Sequence, residues 1–226
     1  MGNKNLDIWE DVFKNNEWGK YPSVVVIKFI AKNFYKVKDR KDIKILEIGS
    51  GTGANLWFCA REGFSVYAID GSKTAVERMQ TRFKEEGLDS NVVSAKIGDY
   101  FDKLDAYEDD YFDAIIDYES LYCNSFSKTQ EIIKKVFSKL KKDGRMLSVT
   151  FGEGTFGIDG EEIDYHAVIP KDGPMAGKGF TRYTTQQDID ILYKLPNNSI
   201  TNIERQEQHF SNGEAIKEWI IELQKV

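Results

Sequence analysis

Three glycines at alternate positions, Gly49, Gly51 and Gly53, follow directly on the apolar run Ile45-Leu46-Glu47-Ile48. The run reads as a buried strand, and the glycines as a tight turn that opens a helix at about Ala54-Asn55. Glycine has no Cβ and tolerates positive φ, so a ligand can approach the backbone closely there. A helix start just beyond the turn offers free N–H groups and a positive dipole end to an anionic group. This is the plan of a nucleotide-type cofactor site, and the other elements fall into order around it.

The strand at 44–48 is the first of five, and a helix at 56–61 follows it until Glu62-Gly63. The second strand, 65–69, ends in Asp70-Gly71-Ser72, where Ser72 is suited to cap a helix carrying Ala75, Val76, Met79 and Phe83 on one side. Gly87 closes that helix in the manner of a C′ glycine. The third strand, 91–97, ends at Gly98-Asp99-Tyr100-Phe101, and the fourth, 112–117, at Asp117-Tyr118. Ser127 with Gln130 has capping-box spacing for a helix bearing Ile132, Ile133, Val136, Phe137 and Leu140, which Asp143-Gly144 ends. Residues 145–151 make the fifth strand. Alternating units of this length predict an α/β fold with a doubly wound, mostly parallel sheet and helices on both faces.

The alternation stops at Gly152. Residues 152–184 hold seven glycines and two prolines, and so long a connection in a compact domain is usually functional or disordered. Its aromatics and His166 favour a substrate-side insert. Thr184 and Gln187 then open another helix. Residues 200–210 and 214–226, joined by Ser211-Asn212-Gly213, read as an antiparallel hairpin at one sheet edge with Trp219 and Ile221 inward, which makes seven strands. The last segment reads as a helix in the alternative. At the other end, residues 6–18 show helical apolar spacing, and Pro22 suits the first turn of a helix with Val25, Phe29, Ile30 and Phe34 towards the core. The expectation is one domain over 1–226, with 1–42 as a helical cover.

Of 226 residues, 41% are hydrophobic, enough for a sizeable core, and the net charge is -6. That balance opposes general affinity for nucleic acid or an anionic membrane. The lysines at 28–44 and 134–145 fall at helical spacing or beside acids, as on a solvated helix face. Cys59 and Cys123, with no signal peptide in view, fit reduced thiols. No stretch approaches the roughly 18 apolar residues of a membrane span, so a cytoplasmic protein is expected. His166 and His209 stand far apart, and no Cys/His cluster has metal-ligand spacing.

Gly49-x-Gly51-x-x-Ala54, with Asp70 downstream, also satisfies a dinucleotide fingerprint. Three features lead elsewhere. Glu47 lies where a dinucleotide strand is apolar, Gly53 continues the alternation, and Asp99 and Asp117 end the following strands. A carboxylate inside a strand is costly unless loop amides or a ligand require it. Glu47-Ile48-Gly49-Ser50-Gly51-Thr52-Gly53 resembles motif I of class I S-adenosylmethionine-dependent methyltransferases, and the later signals keep that family's order from about residue 43 onwards.

The resemblance implies a role for each position. Glu47, Gly49, Ser50, Gly51, Gly53 and Asn55 belong to the loop beneath the methionine part of the cofactor. Asp70 matches the acid that binds the ribose hydroxyls, with Gly71 and Ser72 flanking the adenosine. Asp99 matches the contact to the adenine amino group, with Tyr100 or Phe101 beside the ring. Asp117 matches the place where methionine and acceptor meet, and Tyr21, ahead of the first strand, reaches towards the cofactor.

The implied reaction is in-line displacement of a methyl group from a sulfonium, in which the protein supplies alignment and desolvation. A base is needed only where the acceptor must lose a proton early, and His166, Tyr118, Tyr122 and Glu119 are the candidates. Asp117-Tyr118-Glu119-Ser120 lacks the Asn/Asp-Pro-Pro-aromatic motif that holds a flipped base, and no basic appendage is present. A small-molecule acceptor is therefore expected. The competing readings are a dinucleotide oxidoreductase on the same kind of sheet and a cofactor-binding protein without turnover.

Overall fold

The computed structural model describes residues 2–226; Met1 lies outside them. Helices α1 (Gly2–Asn15) and α2 (Val24–Phe34) precede the sheet. There follow β1 (Lys44–Ile48), α3 (Ala54–Arg61), β2 (Ser65–Asp70), α4 (Lys73–Glu85), β3 (Val92–Ile97), the single turn α5 (Tyr100–Lys103) and β4 (Phe112–Tyr118). Then come α6 (Phe126–Lys139), β5 (Leu140–Phe151), the short β6 (Ala167–Val168) and β7 (Thr181–Arg182), α7 (Gln186–Leu192), β8 (Asn198–His209) and β9 (Ala215–Lys225).

The seven-stranded sheet has the order β3-β2-β1-β4-β5-β9-β8. Strands β1 to β5 pair in parallel, whereas β9 runs antiparallel between β5 and β8. The order reverses between β1 and β4, and open α/β sheets hold ligands in the crevice beyond the carboxyl ends of the strands at such a point. Strands β6 and β7 pair with each other outside the main sheet.

Strands buried on both faces separate two apolar layers. One packs Leu46, Ile48, Tyr67, Ile69, Ile115 and Met146 against α6 and α7 through Ile132, Val136 and Ile189. The other packs Ile45, Val66, Ala68, Ile116 and Leu147 against α2, α3 and α4 through Phe29, Cys59 and Phe83. This is the near-continuous apolar pattern expected of a parallel sheet covered on both sides. Trp219 and Ile221 are buried as expected, and the last segment is a strand.

Local signals went astray at four places. Pro22 lies before Ser23, which caps α2 by accepting from the Val25 N–H at 3.2 Å. Ser125, not Ser127, caps α6, accepting from the Lys128 N–H. The capping box of α7 is Thr185 with Asp188, one residue beyond the expected pair of Thr184 and Gln187. The helix α6 ends at Lys139 and passes straight into β5, so Asp143-Gly144 is an irregularity inside the strand rather than a helix stop. Neighbouring hydroxyls compete for one cap, and spacing alone does not choose between them. Two of the lysines read as solvated, Lys135 and Lys139, fold back onto Asp105 and Asp109 at 2.6 and 2.7 Å.

Candidate active site

Beyond the carboxyl ends of β1, β2 and β4 lies a cavity of about 660 Å³, within the range of small-ligand sites. Its floor is the glycine turn. Gly49, Gly51 and Gly53 all have positive φ, +67°, +52° and +76°. A Cβ on Gly49 would lie 2.0 Å from Ser120 Oγ, and one on Gly53 would lie 2.3 Å from Met79 Cγ. These glycines let the loop after β4 and helix α4 close against the turn.

Two carboxylates shape this floor. Asp70, at the end of β2, accepts from the Gly51 N–H with Oδ2 and from the Ser72 N–H with Oδ1, both at 2.7 Å. Burial raises its pKa to about 6 against the pull of those two donors. Glu47 accepts from Asn55 Nδ2 at 2.7 Å with Oε1, while Oε2 is buried with no partner among the described residues. Burial raises Glu47 to about 8, opposed by the Asn55 bond and reinforced by Asp70 and Asp117. Five buried side-chain polar atoms have no hydrogen-bond partner there. Three of them, Glu47 Oε2, Ser50 Oγ and Trp9 Nε1, belong to residues lining this cavity. Buried polar groups are ordinarily paired, so three unpaired atoms on one cavity stand out.

Helix α1 covers the floor. Phe13 Cζ stands 3.2 Å from where a Gly51 Cβ would be, and Leu6 Cδ2 stands 2.5 Å from that of Gly71. The helix is tied at both ends of the site. Glu10 accepts from Ser72 Oγ at 2.5 Å, the Thr74 N–H at 3.1 Å and Thr74 Oγ1 at 2.8 Å. Asn5 donates to the Cys123 carbonyl and accepts from the Phe180 N–H, each at 3.2 Å. Part of the insert, Met175, Lys178 and Phe180, also lines the cavity.

The loop after β4 is set by Asp117. This fully buried carboxylate accepts from the Ser120 and Leu121 N–H groups at 3.1 and 3.0 Å and from Ser148 Oγ at 2.5 Å. Burial raises it to about 6, opposed by those donors and by the attraction of buried Arg182. Asp99 caps α5 by accepting from the Phe101 N–H at 2.8 Å.

Of the residues singled out in the sequence, Tyr21, Glu47, Gly49, Ser50, Gly51, Asn55, Asp70, Gly71, Asp99, Tyr100, Tyr118, Glu119 and Tyr122 line the one cavity. Tyr21 does so from the mouth, 78% exposed, with its ring edge-on to Trp57. Five others stand back from the lining. Gly53 packs on Met79, Ser72 caps α4, and Asp117 holds its loop. Phe101 lies beneath the ammonium groups of Lys128 and Lys135. His166 is stacked between Tyr165 and Tyr183, with Nδ1 2.9 Å from Asp188 Oδ2.

Sequence reasoning gave no individual role to Asn5, Leu6, Trp9 and Phe13 of α1. Their i, i+3, i+4 spacing announces a buried helix face but not what it covers. Ser120 and Asn124 were likewise missed, since nothing in their local pattern separates them from loop residues.

A methyltransferase domain family matches residues 39–212. The chain belongs to that family. No curated protein sequence matches it. Solved structures show the same fold. An S-adenosylmethionine-dependent methyltransferase from Methanosarcina mazei aligns at TM-score 0.68 and 23% identity, over 88% of this chain and 97% of its own. The magnesium protoporphyrin IX methyltransferase of Synechocystis, with S-adenosylmethionine bound, aligns at 0.67 and 14%, over 98% and 97%. The 1,6-didemethyltoxoflavin-N1-methyltransferase of Burkholderia thailandensis, with its substrate and S-adenosylhomocysteine bound, aligns at 0.65 and 12%, over 99% and 85%. The protein is a methyltransferase of the class I, Rossmann-like fold.

Proposed function

We propose that this chain transfers a methyl group from S-adenosylmethionine to a small-molecule acceptor held between α1, the loop after β4 and the insert. One observation carries the reading. Glu47 keeps a buried, unpartnered oxygen on a cavity floored by the positive-φ glycines Gly49 and Gly51 and edged by Asp70 and Asp99. That set of acceptors fits an ammonium-bearing nucleoside. Glu47 Oε2 would take the ammonium, the lone pairs left on Asp70 the ribose hydroxyls, and Asp99 the adenine amino group. Gly71 and Tyr100 would border the adenosine, and Tyr21 would close the mouth. Gly53, Ser72 and Asp117 serve the same site by fixing backbone rather than by touching ligand, and Phe101 supports the Tyr100 turn.

When bound, the cofactor supplies a methyl group on a cationic sulfur. The chain excludes water from it with Trp9, Phe13 and Trp18, whose rings pack at 5.0 to 5.9 Å from one another. Tyr118 and Tyr122 stand at the acceptor end. Burial, with the nearby Glu119 charge, raises Tyr118, and burial with Cys123 raises Tyr122. Both therefore act as neutral hydroxyls that position the acceptor. His166 ties the insert to α7 through Asp188.

No helix among the described residues is long and apolar enough to cross a membrane. A small acceptor agrees with the size of the cavity and with the absence of a flipped-base motif after β4. The test is calorimetric titration with S-adenosylhomocysteine and with NAD, followed by transfer of labelled methyl to a panel of amines, phenols and thiols. Binding of S-adenosylhomocysteine with turnover of a small acceptor is expected. Tight NAD binding without it would overturn the reading.

A further inference from the structure

Glu119 follows β4 directly and takes a left-handed backbone conformation, φ 51°, unusual for a residue with a side chain. Such strain persists where surrounding structure holds it, and it gathers at functional sites. Its N–H is bonded to the Val149 carbonyl at 2.9 Å, so the backbone is anchored and the side chain is directed at the acceptor end of the cavity. There it comes within hydrogen-bonding reach of Glu218 on β9. Glu218 Oε1 is buried, with no N–H or hydroxyl donor among the described residues.

Two carboxyl groups in contact do not readily both ionise, so Glu119 holds its proton more tightly than a free carboxyl does. Burial and Glu218 together push Glu119 well up, while the Tyr118 hydroxyl and the Lys178 ammonium oppose them. Tyr122 is the other titratable group facing Glu119. Trp9, Trp18, Met175 and Phe180 line the same cavity as Glu119. Lys178 shows what such a setting accepts. Its ammonium stands 5.2 Å from the Trp18 ring centre, is drawn by Glu119, and donates at 2.8 Å to the Pro174 carbonyl.

We propose that the Glu119–Glu218 pair receives an amine, so that the methyl acceptor is an organic amine on an apolar or aromatic body. The inference rests on the methyl-transfer reading and names the acceptor class for that site. The acceptor enters as an ammonium and meets the carboxyl oxygens of the pair, with the aromatic faces adding cation–π attraction. One N–H bond then breaks, the proton passes to an ionised oxygen of the pair, and the electron pair stays on nitrogen as the nucleophile. That proton returns to solvent after the product leaves.

The test uses three probes of one shape, phenethylamine, 2-phenylethanol and phenylacetate. Each is titrated into the wild-type protein with and without S-adenosylhomocysteine, following tryptophan fluorescence. The amine is expected to bind about tenfold tighter than the alcohol, with the acid weakest. E119Q and E218Q should each lose that preference, and melting curves identify a variant that has not folded. Equal binding of the three, no binding of any, or tightest binding of phenylacetate (which would make Lys178 the anchor) overturns the proposal from the wild-type data alone. Failure of S-adenosylhomocysteine to bind while the amine preference persists would instead remove the methyl-transfer reading.

Discussion

Asn55 holds one oxygen of Glu47 at 2.7 Å and leaves the other buried and unbonded at the cavity floor. The strand and the helix on either side of the glycine turn are thereby joined by a carboxylate that remains half-satisfied.

A pH dependence follows. Glu47 rises from 4.5 to about 8 on folding, so its contribution favours the fold below pH 4.5 and is lost as pH rises towards 8. Glu47→Gln should melt higher than wild type at pH 8 without ligand, with the difference shrinking towards pH 5. It should also bind S-adenosylhomocysteine more weakly, by about tenfold for one lost charged hydrogen bond. Thermal melts at two pH values and a calorimetric titration check both halves. Identical melting at pH 8 would contradict the assignment.

Gly51 combines a φ of +52° with Phe13 Cζ at 3.2 Å from its absent Cβ. Gly51→Arg should therefore expel α1 from the floor and fill the cofactor space. A loss of roughly 100-fold or more in S-adenosylhomocysteine affinity is expected, equivalent to about 2.7 kcal/mol. Retained affinity in a folded variant would show that the loop lies elsewhere.

Glu10 crosses from α1 to the start of α4. Partial burial works against its charge, yet the bonds from Ser72 and Thr74 and the nearby Lys14 hold its pKa down to about 2 from 4.5. This stabilisation is fully present above pH 4.5 and disappears as pH falls towards 2. Glu10→Ala should cost about 0.5–2 kcal/mol, as loss of a helix cap does, and should remove that acid-sensitive component. Chemical denaturation at pH 7 and pH 3 measures it.

His166 has a positive φ of 51° and lies against Asp188. If it ties the insert to α7, His166→Ala should lower stability by about 1.5–3 kcal/mol, the range for a hydrogen bond to a charged partner. Affinity for S-adenosylhomocysteine should stay unchanged. A variant of normal stability with abolished methyl transfer would return His166 to a catalytic role.

The sheet was legible because β1 to β4 are short, mostly apolar and closed by glycine or aspartate, and because Glu47, Asp70 and Asp99 fall at successive strand ends. Those three carboxylates do meet at one cavity. The caps at Ser125 and Thr185 were displaced by one or two residues because adjacent hydroxyls carry the same local signal. His166 and Phe101 stood out for residue type and position, but their surroundings depend on Asp188, Lys128 and Lys135, which come from other elements. The acceptor end was least legible. Glu119 and Glu218 are 99 positions apart in the chain, and only the placement of β9 beside β5 brings them together.

The packing of α1 across Gly51 and Gly71 has a temporal consequence. A ligand beneath that helix is freed on its α1 side when Leu6 and Phe13 lift from the two glycines and Glu10 releases Ser72 and Thr74. Dissociation is then paced by the opening of the helix, a local unfolding event, as well as by the ligand's own contacts. A substitution at Glu10 should thus change residence time without touching a single ligand atom.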